Sequence, residues 1–335
     1  MSAERIKNMV GMAQHWAGVA RYRLTHPDAH RKYKEHFTEF IAHLEEKYIP
    51  MRLGVYMQHE PRRPYLERFP QRHGISEKLS IAIVTPSYNQ ARFVGDTVES
   101  VLDQNYSNLR YAVMDGDSKD NSKQVISEYQ PRLSAFVSER DAGQSDAIKK
   151  GFSMVAGEIM AYLNSDDMLM PGVLDYVDNF FKQYKDVDVI YGHRIVIDES
   201  GRQIGRWVLP PHSDNDLKYF DYIPQETMFW RRKIWDKAGG IDPKFQFAMD
   251  WDLILRFIEA GATFRRLPFF MAYFRAHGAQ KSHTIFRTSG EEETRKILDR
   301  VHNGAVCRRD FVSVYRSYRR RSAISTILLK CGIRN

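Results

Sequence analysis

Two adjacent carboxylates, Asp166 and Asp167, are the residues of this chain best suited to hold a divalent metal. They follow a mostly apolar run at 160–163 that is typical of a buried strand, and Pro171 with Gly172 lies just beyond them. Open α/β folds bind ligands at the carboxyl ends of parallel strands, and hard oxygen ligands suit Mg²⁺ or Mn²⁺. A helix N-cap with solvated acids is the alternative, because Asp is common at that position.

Three polar segments upstream also follow short apolar runs, so the edge of one sheet would bring them together. They are residues 85–89, which include the aromatic ring of Tyr88, residues 115–118 and residues 138–147. The first segment has an ordinary strand-to-helix turn as its alternative. The third segment is rich in acids and too polar for a core element, which favours a ligand-binding role.

The elements that position these residues are predicted from alternating apolar runs and amphipathic segments over residues 79–285. Short links between them imply right-handed strand–helix–strand units, and therefore an α/β fold with a mainly parallel sheet flanked by helices. Residues 1–78 are predicted to form a helical extension followed by a linker rich in Pro and Arg. Residues 286–335 are predicted to form a helical, basic tail.

The bulk composition favours one large α/β domain with extensions, in a reducing compartment. The chain has 335 residues, and its two cysteines, Cys307 and Cys331, provide neither a disulfide framework nor a Cys-based zinc site. The sequence shows no signal-peptide pattern and no apolar run of about 18 residues. These features predict a cytoplasmic protein.

The net charge of +8 is concentrated in the C-terminal tail. Residues 308–335 contain eight Lys or Arg and one acid, Asp310. A basic amphipathic helix suits an anionic membrane surface, which predicts peripheral contact with the cytosolic face of the inner membrane. A helix docked on the main domain is the alternative. Nucleic-acid binding is a third interpretation and is not expected.

Four segments resemble the ordered signature of family 2 glycosyltransferases. They are VTPSYN at 84–89, DGDS at 115–118, DAGQSDA at 141–147 and NSDD at 164–167. The similarity continues through 225–227, 240–242 and 249–253 to 275–277, and so covers roughly residues 79–285. The resemblance implies the GT-A fold, which is a single nucleotide-binding α/β domain.

The resemblance also implies roles for individual residues at the strand ends. The residues that would bind the sugar nucleotide are Pro86, Ser87, Tyr88, Asp115, Asp117, Asp141, Gln144, Asp146, Asn164, Asp166 and Gln225. Among them, Asp166 would contact the ribose. Asp167 and His277 would hold Mn²⁺ or Mg²⁺ on the diphosphate, and Asp250 would be the general base. Gly116 departs from the family, since many relatives carry there an aspartate that reads the base.

The chemistry of sugar transfer gives these roles an independent basis. A divalent metal neutralises the diphosphate leaving group as a Lewis acid, and the acceptor hydroxyl needs a positioned base. One carboxylate opposite the leaving group is sufficient for inversion at the anomeric carbon. Asp252 is the alternative to Asp250, because residues two apart at a helix start point in different directions. Arg275 would offer a further phosphate contact beside His277.

These observations predict an inverting, metal-dependent enzyme that moves a sugar from a nucleoside diphosphate to a hydroxyl of a saccharide or polyprenyl-linked saccharide. The resemblance and the basic tail make surface polysaccharide synthesis, of the O-antigen or capsule type, the expected setting. A sugar nucleotidyltransferase would need a loop rich in Gly and Lys or Arg, which residues 85–92 lack. A non-catalytic sugar-nucleotide-binding protein, the other alternative, would not need Asp250.

Overall fold

The computed structural model describes residues 58–70, 77–278, 280, 289–304 and 306–334. The predicted N-terminal helix, before Pro50, lies outside these residues. Residues 58–70 belong to the predicted linker and form no helix. Arg62 and Gln203 exchange two backbone hydrogen bonds of 3.1 and 2.8 Å, so the linker is joined to the main domain.

The described residues of the main domain form strands and helices in alternation. The strands are β1 Ile81–Ser87, β2 Leu109–Asp115, β3 Ala135–Ser138, β4 Ile159–Tyr162, β5 Met168–Leu169, β6 Val189–Ile197, β7 Gln203–Trp207, β8 Phe229–Arg231 and β9 Phe264–Arg275. The helices are α1 Val94–Leu102, α2 Ser122–Tyr129, α3 Gln144–Met154, α4 Val173–Gln183, α5 Asp214–Leu217, α6 Arg232–Ala238, α7 Met249–Glu259, α8 Glu291–His302 and α9 Arg308–Lys330. Among these described helices, none combines the length and the hydropathy that a membrane crossing requires.

The strands form one mixed sheet in the order β3-β2-β1-β4-β8-β6-β9-β5, and β7 pairs with β6. The predicted parallel pairing holds for β3, β2, β1 and β4. Strand β8 runs antiparallel to both of its neighbours, whereas β6 and β9 are parallel. The sheet is therefore mainly parallel only in its first half. Strands β5 and β8 are two and three residues long, too short for a periodic pattern to reveal.

Strand β1 is buried along its whole length because helices cover both faces of the sheet. Successive side chains of a strand point to opposite faces. Ile83 accordingly belongs to a core cluster that includes Val98 of α1, while Val84 faces Gly151 of α3. This double cover explains the unbroken apolar run in the sequence and fixes the carboxyl end of β1 in place.

Helix α9 docks on the main domain through one face. Tyr318, Ser322 and Ser325 are buried there, and Ser322 Oγ donates to Val208 O at 3.1 Å. The ring of Tyr318 meets the ring of Phe220 edge-on, with 5.2 Å between centroids. The docked-helix interpretation of the basic tail is therefore correct for this face of α9.

Gly151 allows α3 to approach β1 closely, because a Cβ at this position would lie 2.4 Å from Val84 Cγ1. We expect Gly151→Ala to lower the free energy of unfolding by about 1–3 kcal/mol, the usual cost of overpacking a core. Gly95→Ala on α1 is the matched control, since its Cβ would meet Val125 Cγ1 at an ordinary 3.4 Å. The control should be neutral or stabilising. Chemical denaturation measures both variants, and equal effects would contradict the packing argument.

Candidate active site

The ends of β1, β2 and β3 bring polar segments of the sequence to one edge of the sheet. Ser87 and Asp115 are register partners, as are Asp115 and Ser138. The backbone N–H of Gly116 donates to Ser87 O at 2.9 Å. Pro86 and Ser87, the last residues of β1, are buried. Because β4 pairs with β1 on its other side, the loop after β4 joins the same edge.

Hydrogen bonds hold the turn after β1 to the turn after β2. Asn89 has a φ of +52°, accepts the Lys119 N–H at 2.8 Å and donates its own N–H to Ser118 Oγ at 2.8 Å. The adjacent Tyr88 is 60% exposed, so its ring is open to a stacking partner. Ser87 Oγ is buried and lacks a hydrogen-bond partner within the described part of the chain. A rigid turn therefore carries an open aromatic ring beside an unsatisfied hydroxyl.

The carboxylates of Asp115 and Asp117 have different environments. Asp115 is buried and accepts hydrogen bonds from Ser118 Oγ at 2.5 Å and from Ser138 Oγ at 2.8 Å. Asp117 has a φ of +63°, and its exposed carboxylate pairs with Lys119 at 2.5 Å. Asp115 thus stabilises the edge of the sheet through buried hydrogen bonds, whereas Asp117 belongs to the exposed turn that follows β2.

The carboxylate of Asp141 occupies the space beside Gly116. A Cβ on Gly116 would lie 2.8 Å from Asp141 Oδ2, so a side chain at 116 would require the Asp141 carboxylate to move. Asp141 Oδ1 accepts the Gly143 N–H at 2.8 Å, and burial raises the pKa of Asp141. The Asp141 carboxylate therefore occupies the space that an aspartate side chain at position 116 would enter.

Asp146 and Gln144 lie in the first turn of α3 and make different contacts. Asp146 accepts the Ala142 N–H at 3.1 Å, which lowers the pKa of Asp146, and it pairs with Lys150 at 3.2 Å. These contacts are typical of a helix start. Gln144 instead donates from Nε2 to Asn164 Oδ1 at 2.6 Å, and so connects α3 with the loop after β4.

The two acids after β4 face different surroundings. Asp166 Oδ2 lies 2.9 Å from His277 Nε2, and the Asp166 side chain remains 15% exposed. Asp167 is 1% exposed, and its Oδ1 accepts the Arg275 N–H at 3.1 Å. Burial raises the pKa of Asp167 well above its usual range, and the charges of Asp166 and Glu226 raise it further. His277, predicted to share a metal ion with Asp167, contacts Asp166 instead.

The guanidinium of Arg275 is used within the fold. Its Nη2 pairs with Asp96 of α1 at 2.7 Å, and its Nε donates to Asp166 O at 3.1 Å. The same group lies over the ring of Phe93, 4.8 Å from the centroid. Arg275 is 1% exposed, so the phosphate contact expected from the sequence is wrong. The side chain instead ties the loop after β4 to α1.

Asp166 and His277 supply part of the ligand set of a divalent cation. Among the residues that the structure describes, no three His, Cys, Asp or Glu are grouped to hold a metal. Mg²⁺ at nucleotide sites uses one or two carboxylates and completes its coordination with phosphate oxygens and water. A carboxylate and an imidazole 2.9 Å apart, with the carboxylate reaching solvent, fit such a shared site.

Asp250 and Asp252 share the first turn of α7 but have different partners. Asp252 is buried and accepts hydrogen bonds from Arg256 Nε at 2.8 Å and Arg300 Nη1 at 2.6 Å. Asp250 is half-buried, and its Oδ1 accepts the Trp251 N–H at 2.9 Å. The two ion pairs account for Asp252 as a structural residue, which leaves Asp250 as the candidate base.

Arg194 and Glu226 form a buried ion pair, of which only Glu226 lies in a segment that resembles the family, residues 225–227. Their two N–O contacts are both 2.6 Å long, and the Arg194 guanidinium lies 4.3 Å from the centroid of the Phe274 ring. The charges of both residues influence the pKa values of Asp167 and Asp221, so the pair is close to both acids. The partners are 32 residues apart, and only the folded sheet brings them together.

Two polar side chains near the candidate base are in unusual states. Asp221 accepts the Ile223 N–H at 3.0 Å, and loss of water together with the charge of Asp250 raises the pKa of Asp221 well above its usual range. Gln225 donates from Nε2 to Tyr162 O at 2.7 Å. Its Oε1 is buried and has no partner among the described residues. Burial and the charge of Asp250 thus favour the protonated form of Asp221, and Gln225 offers a buried acceptor.

The sequence match to a known family agrees with this arrangement. A model described as Glycosyl transferase family 2 matches residues 82–241. Over these residues the chain is therefore similar to family 2 glycosyltransferases. An uncharacterized glycosyltransferase of Nostoc sp. is 27% identical over 230 residues, which are 65% of this chain and 71% of that protein. Chondroitin synthase of Escherichia coli is 23% identical over 184 residues, which are 54% of this chain but only 27% of that protein.

Solved structures share the fold of this glycosyltransferase. S. aureus TarS in complex with UDP-GlcNAc superposes with a TM-score of 0.55 at 14% identity, over 72% of each chain. A mannosyltransferase from Pyrobaculum calidifontis in complex with GDP-Man and Mn²⁺ gives a TM-score of 0.50 at 13% identity, over 76% of this chain and 70% of that one. The predicted GT-A fold and glycosyltransferase class are confirmed.

The raised pKa of Asp221 predicts a pH dependence of stability. Above the ordinary value of 3.8, the folded state keeps a proton that the unfolded state releases, so wild-type stability falls as pH rises through this window. Asp221→Asn keeps an acceptor for the Ile223 N–H. Because its amide does not titrate, its stability does not fall with rising pH for this reason. Its melting temperature relative to wild type should rise as the pH increases above 3.8, with about 1.4 kcal/mol for each unit of pKa difference.

The exposed Asp186→Asn is the control for this measurement, because its difference from wild type should not change over the same range. A difference between Asp221→Asn and wild type that stays constant with pH would show that Asp221 releases its proton normally in the folded protein.

Proposed function

We propose that this enzyme is an inverting, metal-dependent glycosyltransferase whose donor is a sugar nucleoside diphosphate. The observation that carries the proposal is a series of neighbouring polar groups, from Asp166 and His277 past the Arg194–Glu226 ion pair to Asp250. Asp166 and His277 would face the diphosphate with its cation, and Asp250 would face the acceptor hydroxyl. It adjoins the carboxyl edge of parallel strands, where open α/β sheets bind ligands.

At the first end, Asp166 and His277 would hold Mn²⁺ or Mg²⁺ on the diphosphate. This proposal moves the metal ligand from Asp167 to Asp166, because Asp167 is buried and its carboxylate accepts the Arg275 N–H. When bound, the cation would neutralise the charge that develops on the leaving diphosphate. The Mn²⁺ bound to the similar mannosyltransferase supports a divalent cation on this fold. Asp167 would then orient the loop that carries Asp166.

The nucleoside would lie across the ends of β1 and β2. Tyr88 offers an exposed ring for stacking on the base, and Ser87 Oγ offers a hydroxyl that has no other partner among the described residues. Asp141 would accept hydrogen bonds in place of the family aspartate at 116, since its carboxylate occupies that volume. The UDP-GlcNAc, UDP and GDP-Man bound to similar proteins support a nucleoside diphosphate donor and leave the base open.

At the other end, Asp250 would take the proton of the acceptor hydroxyl. The hydroxyl oxygen forms its bond to the anomeric carbon while the bond to the diphosphate breaks on the opposite face, so the configuration inverts. The raised pKa of Asp221 favours its neutral form. Gln225 Oε1 would accept a hydrogen bond from a sugar hydroxyl.

The acceptor would be a saccharide or polyprenyl-linked saccharide of surface polysaccharide synthesis, used by an enzyme bound peripherally at the cytosolic face of a membrane. Chondroitin synthases of Escherichia coli and Pasteurella multocida are among the similar proteins, which supports a saccharide acceptor. The exposed arginines Arg309, Arg316 and Arg320 of α9 support contact with anionic headgroups.

A thermal-shift panel of sugar nucleotides tests the donor and the metal together. One nucleoside diphosphate sugar should raise the melting temperature in the presence of Mn²⁺, with about 2.7 kcal/mol of stabilisation at a hundredfold excess over Kd. Asp166→Asn should remove the Mn²⁺-dependent part of this shift, whereas the exposed Asp186→Asn should keep it. A full Mn²⁺-dependent shift in Asp166→Asn would exclude Asp166 as a metal ligand.

Release of nucleoside diphosphate in the presence of saccharide acceptors tests the base. Asp250→Asn should lower kcat by about 10²–10⁴, the usual contribution of general base catalysis, while its donor-induced thermal shift remains. Asp252→Asn is the matched control: it should lower stability instead, because it weakens the ion pairs with Arg256 and Arg300. Undiminished turnover of Asp250→Asn would remove Asp250 from the mechanism, and release of pyrophosphate would indicate nucleotidyl transfer.

A further inference from the structure

We propose that the outer face of α9 and residues 58–70 form one surface that docks on a bilayer containing anionic lipids. This inference rests on the peripheral membrane location proposed above and identifies the surface responsible. We call it the basic–apolar surface. On α9 it consists of Arg309, Arg316, Arg320, Ile324, Ile327 and Lys330, which are all exposed. In the other segment it consists of Arg62, Arg63, Leu66 and Arg68, which are exposed as well.

The docking of α9 determines which residues face outward. Tyr318 is completely buried, and an α-helix turns by about 100° per residue, so Arg316 and Arg320 lie within about 20° of the direction opposite to Tyr318. Ile327 lies in that opposite direction, and it is 60% exposed. The outside of α9 therefore carries a row of arginines, Arg309, Arg316 and Arg320, that continues toward the C-terminus into the apolar side chain of Ile327.

Exposed apolar side chains are concentrated on this side of the protein. The large hydrophobic residues that are exposed within the described part of the chain are Leu66, Tyr88, Met154, Ile324, Ile327 and Ile333. Two of these six belong to α9, one directly follows it, and Leu66 belongs to residues 58–70. Isoleucine gains nothing from this exposure in water, because burying apolar area is favourable. Their grouping therefore indicates a partner with an apolar interior.

Positive charge is concentrated on the same two segments. Residues 308–334 have an excess of seven basic over acidic residues, and residues 58–70 have an excess of one, with three Arg and two Glu. Together these equal the formal net charge of +8, so the rest of the chain is balanced. The buried acids of this region pair with arginines outside the row, Asp216 with Arg321 and Glu67 with Arg334. The outer arginines remain directed to solvent.

The two segments meet at the Glu67–Arg334 ion pair. Glu67 Oε1 accepts from Arg334 Nη2 at 2.9 Å, and Glu67 Oε2 accepts the Phe270 N–H of β9 at 3.1 Å. Leu66 and Ile333 are the chain neighbours of this pair, and they are 56% and 53% exposed. The ion pair therefore joins the end of α9 to residues 58–70 and makes their exposed side chains parts of one surface.

An anionic bilayer matches both properties of the basic–apolar surface. Lipid phosphates attract the arginines, and the headgroup boundary accepts isoleucine and leucine side chains from an amphipathic helix that lies parallel to it. A nucleic acid would attract the same arginines through its phosphates but would gain nothing from exposed aliphatic side chains. The isoleucines therefore distinguish the two partners in an experiment.

Co-sedimentation of the full chain with vesicles tests this proposal. The wild type should bind vesicles of phosphatidylcholine with phosphatidylglycerol and bind vesicles of phosphatidylcholine alone far more weakly. Arg316→Gln with Arg320→Gln should lower the affinity by about tenfold or more. Ile324→Ser with Ile327→Ser should lower it by about tenfold and should abolish the binding that persists at about 1 M salt, where charges are screened within about 3 Å.

Matched controls lie elsewhere on the surface. Met154→Ser removes an equally exposed apolar side chain, and Arg110→Gln with Lys185→Gln removes two exposed charges, so neither should change vesicle binding. Leu66→Ser should weaken binding as well, and an unchanged affinity would remove residues 58–70 from the surface. Vesicle binding that survives the isoleucine substitutions, together with equal retention of double-stranded DNA, would overturn the proposal in favour of nucleic acid.

Failure of this proposal can be separated from failure of the proposed activity. The substituted residues lie outside the candidate active site, so the Mn²⁺-dependent thermal shift with a sugar nucleotide should be unchanged in every variant. Loss of vesicle binding with that shift intact supports the surface. Absence of vesicle binding in a wild-type chain that shows the shift overturns the surface alone.

Discussion

The carboxyl end of β9 holds the acidic loop after β4, and the rest of the candidate site depends on this junction. Asp167 loses its contact with water and accepts the Arg275 N–H, while the Arg275 guanidinium reaches back to Asp166 O and to Asp96. A buried carboxylate is costly unless it is hydrogen-bonded or paired, so this loop keeps its shape only while β9 stays in place. His277 follows β9 by two residues and is thereby set against Asp166.

Negative charge exceeds positive charge around this junction. Asp167 and Asp221 both have raised pKa values, and the charges of Glu226 and Asp250 contribute to these shifts. Arg194 is the cation that lowers the pKa of both acids, and it is already paired with Glu226. Under the proposed function, a bound divalent cation would relieve this repulsion.

The sequence predicts the parallel half of the sheet well, because each element there has a clear burial pattern. The alternating apolar runs and amphipathic segments predicted from residue 79 onward correspond to strands such as β1 and β2 and to helices such as α3. Motif spacing also brings the right loops to one edge. It does not give the direction of each side chain in a loop, which has no fixed period, and so Asp166 and Asp167 could not be distinguished. Arg194 and Glu226 carry no local signal, since their pairing depends on the sheet.

The close approach of Asp141 to Gly116 has a consequence for the history of this site. A Cβ at 116 would fall 2.8 Å from the Asp141 carboxylate, so a larger residue at 116 would require that carboxylate to move. An aspartate at 116 would fit more readily beside a shorter residue at 141. The sizes of the residues at these two strand ends are therefore coupled, and the order in which they change matters.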